Sequence, residues 1–309
     1  MPPIAASPSR PVAHHLTVDV EEYFHATALR DLVRRSDWPT LESRVERSVD
    51  LILETMDRRS LAGTFFVLGW LAARRPHLVR RIHDAGHEIA SHGWAHRPAT
   101  ELEPEEFRGS VARSKAILED ITGSPVLGFR APSFSIVPGV EWALDVLIEE
   151  GYLYDSSLFP IVRGGYGYAD GSRDPVWISR PAGRIAEFPP ATLRLMGVNV
   201  PAGGGAYFRL LPYGVVRAAL QRCERRGLPS TFYIHPWELD PDQPRLPVSW
   251  TTRVRHYTGL EQAADRLRRL LDDFPFQPIG HALSNRGHRH RPAPGMRGSR
   301  AEAAEQEAG

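Results

Sequence analysis

Thr64-Phe65-Phe66-Val67-Leu68 and His87-Glu88-Ile89-Ala90-Ser91 are two short β-rich runs, joined by sequence of helical period from Trp70 to Ala85 that Gly86 is placed to end. Strand, helix and strand in that order are the unit of a parallel sheet with helical crossovers. The alternation continues outward. His15 to Val20 reads as a strand, and Leu41 to Met56 as a helix with Val45, Val49, Ile52, Leu53 and Met56 on one side. Downstream, Thr100-Glu101-Leu102-Glu103-Pro104 opens a helix to about Ile121, with Thr100 and Glu103 spaced as a capping box. Strand Val126 to Arg130, helix Val140 to Glu150 and strand Tyr152 to Asp155 follow. The order resumes with helix Tyr213 to Arg226, strand Ser230 to His235 and helix Gly259 to Asp273. Roughly seven strand signals with intervening helices favour an α/β fold, an irregular (β/α) barrel, over a doubly wound open sheet.

Between Phe159 and Leu211 the pattern lapses into Gly, Pro and aromatic residues, including Gly203-Gly204-Gly205. This is too long for a plain connection and reads as a functional insertion at about 159–211. Residues 1–13 and 281–309 are poor in large apolar side chains and read as disordered tails around a domain at 14–280. With 42% apolar and 24% charged residues in 309, the chain is globular in composition. Its net charge of +1 offers no excess positive charge for a nucleic-acid backbone. Cys223 is the sole cysteine, which excludes an internal disulfide and a cysteine-based zinc cluster. The opening residues show no signal-peptide pattern, and no stretch reaches the ~18 apolar residues of a membrane span. The expectation is a cytoplasmic protein, working in solution or at the inner face of the membrane.

Polar residues gather at the predicted strand ends, where barrel folds collect catalytic groups. His92 and His96, in Ser91-His92-Gly93-Trp94-Ala95-His96, are spaced to share one metal or else are buried histidines capping a loop. Asp19 and Glu21 alternate on one side of the first strand. They can divide metal coordination and proton abstraction between them, or simply be helix-capping or solvated surface acids. Arg130 can fix a carboxylate through a paired hydrogen bond or serve a structural ion pair. His235, in His235-Pro236-Trp237-Glu238, is either structural or a general acid that Glu238 orients.

Taken together, these residues resemble the polysaccharide deacetylase superfamily, the NodB homology domain, and within it the branch associated with exosortase and exopolysaccharide gene clusters. The resemblance spans about Leu16 to Gly280. It is carried by Asp19 to Glu21, His92 to His96, Arg130 to Phe134, Tyr154 to Ser157, Gly203 to Phe208 and His235 to Glu238, in that order. It implies an irregular, NodB-like barrel that removes N-acetyl groups from N-acetylhexosamine units, with a divalent metal, zinc first and cobalt, nickel or manganese as alternatives. By the same resemblance Asp19 is the general base, His92 and His96 are metal ligands, Arg130 holds Asp19, and His235 protonates the leaving amine. The Ser133 backbone is implied in oxyanion binding. One position departs from the pattern: the usual second aspartate, a metal ligand, is Val20 here. Glu21 is the expected replacement, with Glu22 in reserve. Tyr207, Phe208 and Trp237 either stack against sugar rings or cover the barrel mouth. The expected partner is an N-acetylated glycan or its lipid- or nucleotide-linked precursor. Two rival readings are a metal-independent cyclic-amide hydrolase on the same barrel and a non-catalytic glycan-binding protein.

Overall fold

The computed structural model describes residues 12–164 and 166–284. In chain order the strands are β1 (His14–Val20), β2 (Thr64–Val67), β3 (Glu88–Ser91), β4 (Gly128–Phe129), β5 (Tyr154–Asp155), β6 (Val176–Arg180), β7 (Gly183–Glu187), β8 (Thr192–Leu195), β9 (Val198–Pro201), β10 (Thr231–Ile234) and β11 (Phe276–Gln277). The helices are α1 (Val45–Asp57), α2 (Gly69–Arg74), α3 (Pro76–Asp84), α4 (Pro104–Thr122), α5 (Trp142–Glu149), α6 (Gly205–Leu210), α7 (Tyr213–Glu224), α8 (Trp250–Tyr257), α9 (Leu260–Asp273) and α10 (Ile279–Ser284). Among the described residues no helix is long and apolar enough to cross a membrane.

Strands β10, β1, β2, β3, β4, β5 and β7 are parallel neighbours in that order. β6 adds antiparallel to β7, and the short β11 pairs with the start of β1. The sheet curls until its edges nearly meet. Isolated bridges join them, Pro190 to Thr231 and Gly204 to Tyr233, with the Tyr233 N–H donating to the Gly203 carbonyl at 2.6 Å. That seam explains the glycine run. Gly204 has φ +135°, and a Cβ there would lie 1.7 Å from the Tyr233 carbonyl oxygen.

Period-2 alternation sorts the strand residues onto two faces. Leu16, Val18, Val20, Phe65 and Val67 pack with Val45, Val49, Ile52 and Met56 of α1 in the main core. Phe66, Ala90, Tyr154, Ala186 and Phe188 fill the other face, and Ile279 of α10 packs against them. Each fully buried Val, Leu, Ile, Phe or Met among them contributes about 1.5–3 kcal/mol. The same alternation aims Thr17 and Asp19 away from the α1 core.

Several expectations need correction. The helix read across Trp70 to Ala85 is two, because Pro76 lacks the N–H to continue the first and instead starts the second, with Arg75 (φ −135°, ψ 58°) between them. The capping box of α4 is Glu103 with Glu106 rather than Thr100 with Glu103, since Pro104 takes the first helical position and Thr100 lies in the preceding 3₁₀ turn. α1 starts at Val45, four residues later than read. The insertion is structured: it supplies β7, a strand of the curled sheet itself, with β6 and the β8–β9 hairpin beside it. His281 to Ser284, read as tail, complete α10. Residues 1–11 and 285–309 of the expected tails lie outside the described residues.

Candidate metal and catalytic site

The strand ends at one rim of the sheet carry Asp19 on β1 and, just past the strands, Glu21, His92, Arg130, Ser156 and His235. A cleft of about 560 Å³ opens over them, lined by Asp19, Glu21, His92, His96, Ser133, Tyr207, His235 and Trp237 among others. The residues picked out from sequence therefore converge, with Arg130 fully buried beneath the cleft floor.

Glu21, His92 and His96 are buried and meet at one point. Glu21 Oε1 lies 3.0 Å from His92 Nε2 and 2.9 Å from His96 Nε2. His92 Nδ1 sits 2.8 Å from the Arg130 carbonyl oxygen, an acceptor, so Nδ1 carries the proton. In neutral His92 the Nε2 lone pair then faces a carboxylate, and two acceptors in contact require a cation or a proton between them. The donor set of two imidazole nitrogens and one carboxylate oxygen fits a divalent metal. Burial pushes the Glu21 carboxyl up, but the charges of His96 and His235 and hydrogen bonds from both triad imidazoles outweigh it and hold Glu21 well below the usual carboxylate range.

The departure at Val20 has a geometric counterpart. Val20 is fully buried in the α1 core, and Glu21 joins the two histidines from the turn that follows the strand. Glu22 is no reserve ligand. Its carboxylate accepts from Ser43 Oγ, from the Arg44 N–H at 2.9 Å and from the Val45 N–H at 3.2 Å, so it caps α1 instead.

Asp19 and His235 form a second cluster. Arg130 Nη1 donates to Asp19 Oδ1 at 2.7 Å and to Thr17 Oγ1 at 2.7 Å. Its Nε and Nη2 donate to the Ser156 carbonyl (3.1 Å) and Ser156 Oγ (2.7 Å), so the guanidinium is locked in one plane. Asp19 Oδ2 is 3.8 Å from His235 Nε2. On the far side of the ring, His235 Nδ1 lies 2.9 Å from Glu238 Oε2, which also accepts the His235 backbone N–H at 3.1 Å. Glu238 Oε1 accepts from Arg209 Nε at 2.7 Å. Burial would lower the His235 pKa, but the carboxylates of Glu21, Glu238 and Asp19 raise it to about 9. Glu238, opposed by burial, is held down at about 2 by Arg209 and His235.

Two sequence expectations change in detail. Trp237, in the cleft lining, is buried with its ring stacked on His235 (5.1 Å, 22°) and on His256 (4.4 Å, 20°), and so braces the His235 ring. Phe208 is buried against Phe232. Tyr207 does face the cleft, half-buried. Ser133 and Phe134 both have left-handed backbone (φ +57° and +53°), strained for non-glycine residues, at the cleft edge. Ser133 Oγ is 2.5 Å from Thr27 Oγ1, and its N–H has no acceptor among the described residues. Thr17 and Arg209 were not picked out from sequence, and Ser156 stood there only within the Tyr154 to Ser157 motif with no role, because each acts through a partner that only the fold brings near.

A curled parallel α/β sheet with a carboxylate–imidazole triad and a carboxylate–histidine pair at its strand ends defines an irregular (β/α) barrel with a buried polar site at one rim. Comparison with known proteins finds two partial family matches. Residues 37–144 match the family described as polysaccharide deacetylase, and residues 156–284 match a domain of unknown function, DUF3473. The deacetylase match covers about a third of the chain, so that this part of it is similar to polysaccharide deacetylases. His92, His96 and Arg130 lie in the first match and His235 in the second, whereas Asp19 and Glu21 precede both. Peptidoglycan deacetylase-like protein FGM2 of Gibberella zeae is 33% identical over 112 residues, 36% of this chain and 32% of that protein. The chain thus spans about a third of that relative's length. Two solved structures share the fold. A probable polysaccharide deacetylase from Pseudomonas aeruginosa PAO1 superposes with a TM-score of 0.61 (17% identity, covering 94% of this chain and 96% of that one), and Puue allantoinase with 0.63 (16%, 94% and 95%).

Proposed function

We propose that this protein is a divalent-metal-dependent N-deacetylase that hydrolyses the acetamido group of N-acetylhexosamine units in a glycan or its lipid- or nucleotide-linked precursor, in exopolysaccharide biosynthesis. The observation that carries this reading is the contact of one carboxylate oxygen, Glu21 Oε1, with Nε2 of both His92 and His96, in the cleft that also holds Asp19 and His235.

Glu21, His92 and His96 would hold the metal, zinc first on this donor set, and when bound it supplies Lewis acidity and a more acidic water. The chain's own groups do the rest. Asp19, fixed by Arg130, accepts a proton from the attacking water. His235 enters protonated, with its Nδ1–H held by Glu238 and its Nε2–H turned toward Asp19. It delivers that Nε2 proton to the departing amine. Water adds to the acetyl carbon, the C–N bond breaks, and acetate and a free amine leave. The Ser133 N–H is a donor available to the oxygen that gains charge.

The test is acetate release from N-acetylglucosamine and N-acetylgalactosamine oligomers by metal-stripped protein, with and without added Zn²⁺ or Co²⁺. Release that needs metal and falls by about a hundredfold or more in Asp19→Asn is expected. Hydrolysis of small cyclic amides that survives chelation, or sugar binding without acetate release, overturns the reading.

A further inference from the structure

Four arginines line the cleft: Arg30, Arg163, Arg209 and Arg255. Two are neutralised. Arg30 Nη1 lies 2.6 Å from Glu101 and Arg209 Nε lies 2.7 Å from Glu238. Arg163 and Arg255 have no carboxylate within ion-pair distance among the described residues, and both are exposed. They converge on a pair of phenols. Arg163 Nη1 donates to Tyr207 Oη at 3.2 Å, Arg255 Nη2 donates to Tyr166 Oη at 3.0 Å, and the two hydroxyls are 2.8 Å apart. The guanidinium carbons also lie 5.3 and 5.7 Å from the Tyr166 ring centroid.

Counting protons shows what this cluster lacks. Each tyrosine oxygen already accepts from a guanidinium, and one hydroxyl donates to the other. The second hydroxyl proton and most of the guanidinium N–H groups have no acceptor among the described residues. The unused hydrogen-bonding capacity of the cluster is therefore mostly donors, beside two positive charges with no carboxylate partner among the described residues. A neutral acetamido sugar does not call for that arrangement. An oxyacid anion does, since paired guanidinium and phenol donors match carboxylate or phosphate oxygens.

We infer that Arg163, Arg255, Tyr166 and Tyr207 form a subsite for an anionic group of the substrate, a carboxylate or a phosphate, so that the acetamido sugar taken by this cleft belongs to a charged molecule. This rests on the reading that the cleft binds an N-acetylated sugar. The carboxylate has its source in a uronic acid of the glycan, the phosphate in a nucleotide- or lipid-linked precursor.

The experiment compares kcat/KM for three substrates of the metal-loaded enzyme: a neutral N-acetylglucosamine tetramer, an alternating N-acetylglucosamine–glucuronate tetramer, and uridine diphosphate N-acetylglucosamine. Wild type should favour one charged substrate over the neutral one by about tenfold at low salt, less at high salt, and the favoured one identifies the anion. In the Arg163→Gln/Arg255→Gln double variant that ratio should collapse through KM, while Arg194→Gln on the β8–β9 hairpin keeps it. An unchanged ratio, or an equal loss on all three substrates, overturns the subsite. Calorimetry with glucuronate and methyl phosphate on metal-free protein separates the two claims. Anion binding that the double variant loses, without acetate release from any substrate, upholds the subsite and removes the deacetylase reading. Acetate release with neither charge preference nor anion binding does the reverse.

Discussion

Replacing Glu238 by glutamine should leave the site assembled yet lower its activity in a pH-dependent way. Both Glu238 oxygens act as acceptors, Oε2 for the His235 ring and backbone N–H groups, Oε1 for Arg209. A glutamine has one acceptor oxygen, so it satisfies His235 or Arg209 but not both, and the orphaned contact costs about 1–3 kcal/mol. Melting should drop by about 2–4 °C for each kcal/mol lost. The activity effect is separate. His235 sits at about 9 because Glu21, Glu238 and Asp19 together outweigh its burial. Without the Glu238 charge and hydrogen bond, His235 should fall below about 9, so its protonated fraction is lost most at the alkaline end of the range and least at the acid end. A metal on the triad cancels part of the Glu21 contribution and lowers both limbs, leaving the difference. The assay is kcat/KM for acetate release from pH 5.5 to 9.5. A loss of equal size at pH 6 and pH 8 would refute the argument, because it would mean that Glu238 shapes the site without tuning His235.

Other outcomes follow from the same geometry. Val20→Asp, which puts there the aspartate that the sequence resemblance leads one to expect, should not create a metal ligand: it buries an unpaired carboxylate in the α1 core and should cost roughly 3 kcal/mol or more in denaturant unfolding. Metal affinity improved by that change would mean that the strand end is misread. Arg130→Lys loses the planar set of contacts to Thr17, Asp19 and Ser156 and should lower kcat by tenfold or more while metal stoichiometry stays the same, measured by single-turnover acetate release and metal analysis. Near-normal kcat would remove Arg130 from the positioning of Asp19. Stability should also fall early in acid. Burial holds His14 and His25 at about 3, His15 and His87 at about 4 and His256 at about 3, aided at His14 by His15 and at His256 by Arg209. Below about 6.5 the unfolded chain takes up protons that the folded chain refuses, so each group removes up to about 1.4 kcal/mol per pH unit as pH falls toward 4. A flat stability curve between pH 7 and 5 in urea unfolding would contradict this burial.

What sequence makes visible here is what obeys a period. Asp19, His92, Arg130 and His235 stand out because each ends an apolar run, and strand alternation alone puts Asp19 and Val20 on opposite faces. Glu21 could be chosen over Glu22 on the same ground, although the cap that Glu22 makes on α1 depends on a loop returning from 22 residues away. β7 stayed hidden because Ile185-Ala186-Glu187-Phe188 sits among prolines and glycines, and because its neighbour β5 is two residues long. Arg209 was invisible for a different reason. It reaches Glu238 across 29 residues, and an isolated arginine in a short helix carries no local pattern. The break between α2 and α3, by contrast, has a local signal in Pro76, which the helical period across Trp70 to Ala85 overrode in the sequence reading.

The most direct measurement is a titration of metal-stripped protein with Zn²⁺, following bound metal and acetate release together. The account predicts one metal per chain, activity rising in step with it, and neither in His92→Ala. Full acetate release from the chelated protein, or from His92→Ala, would contradict it.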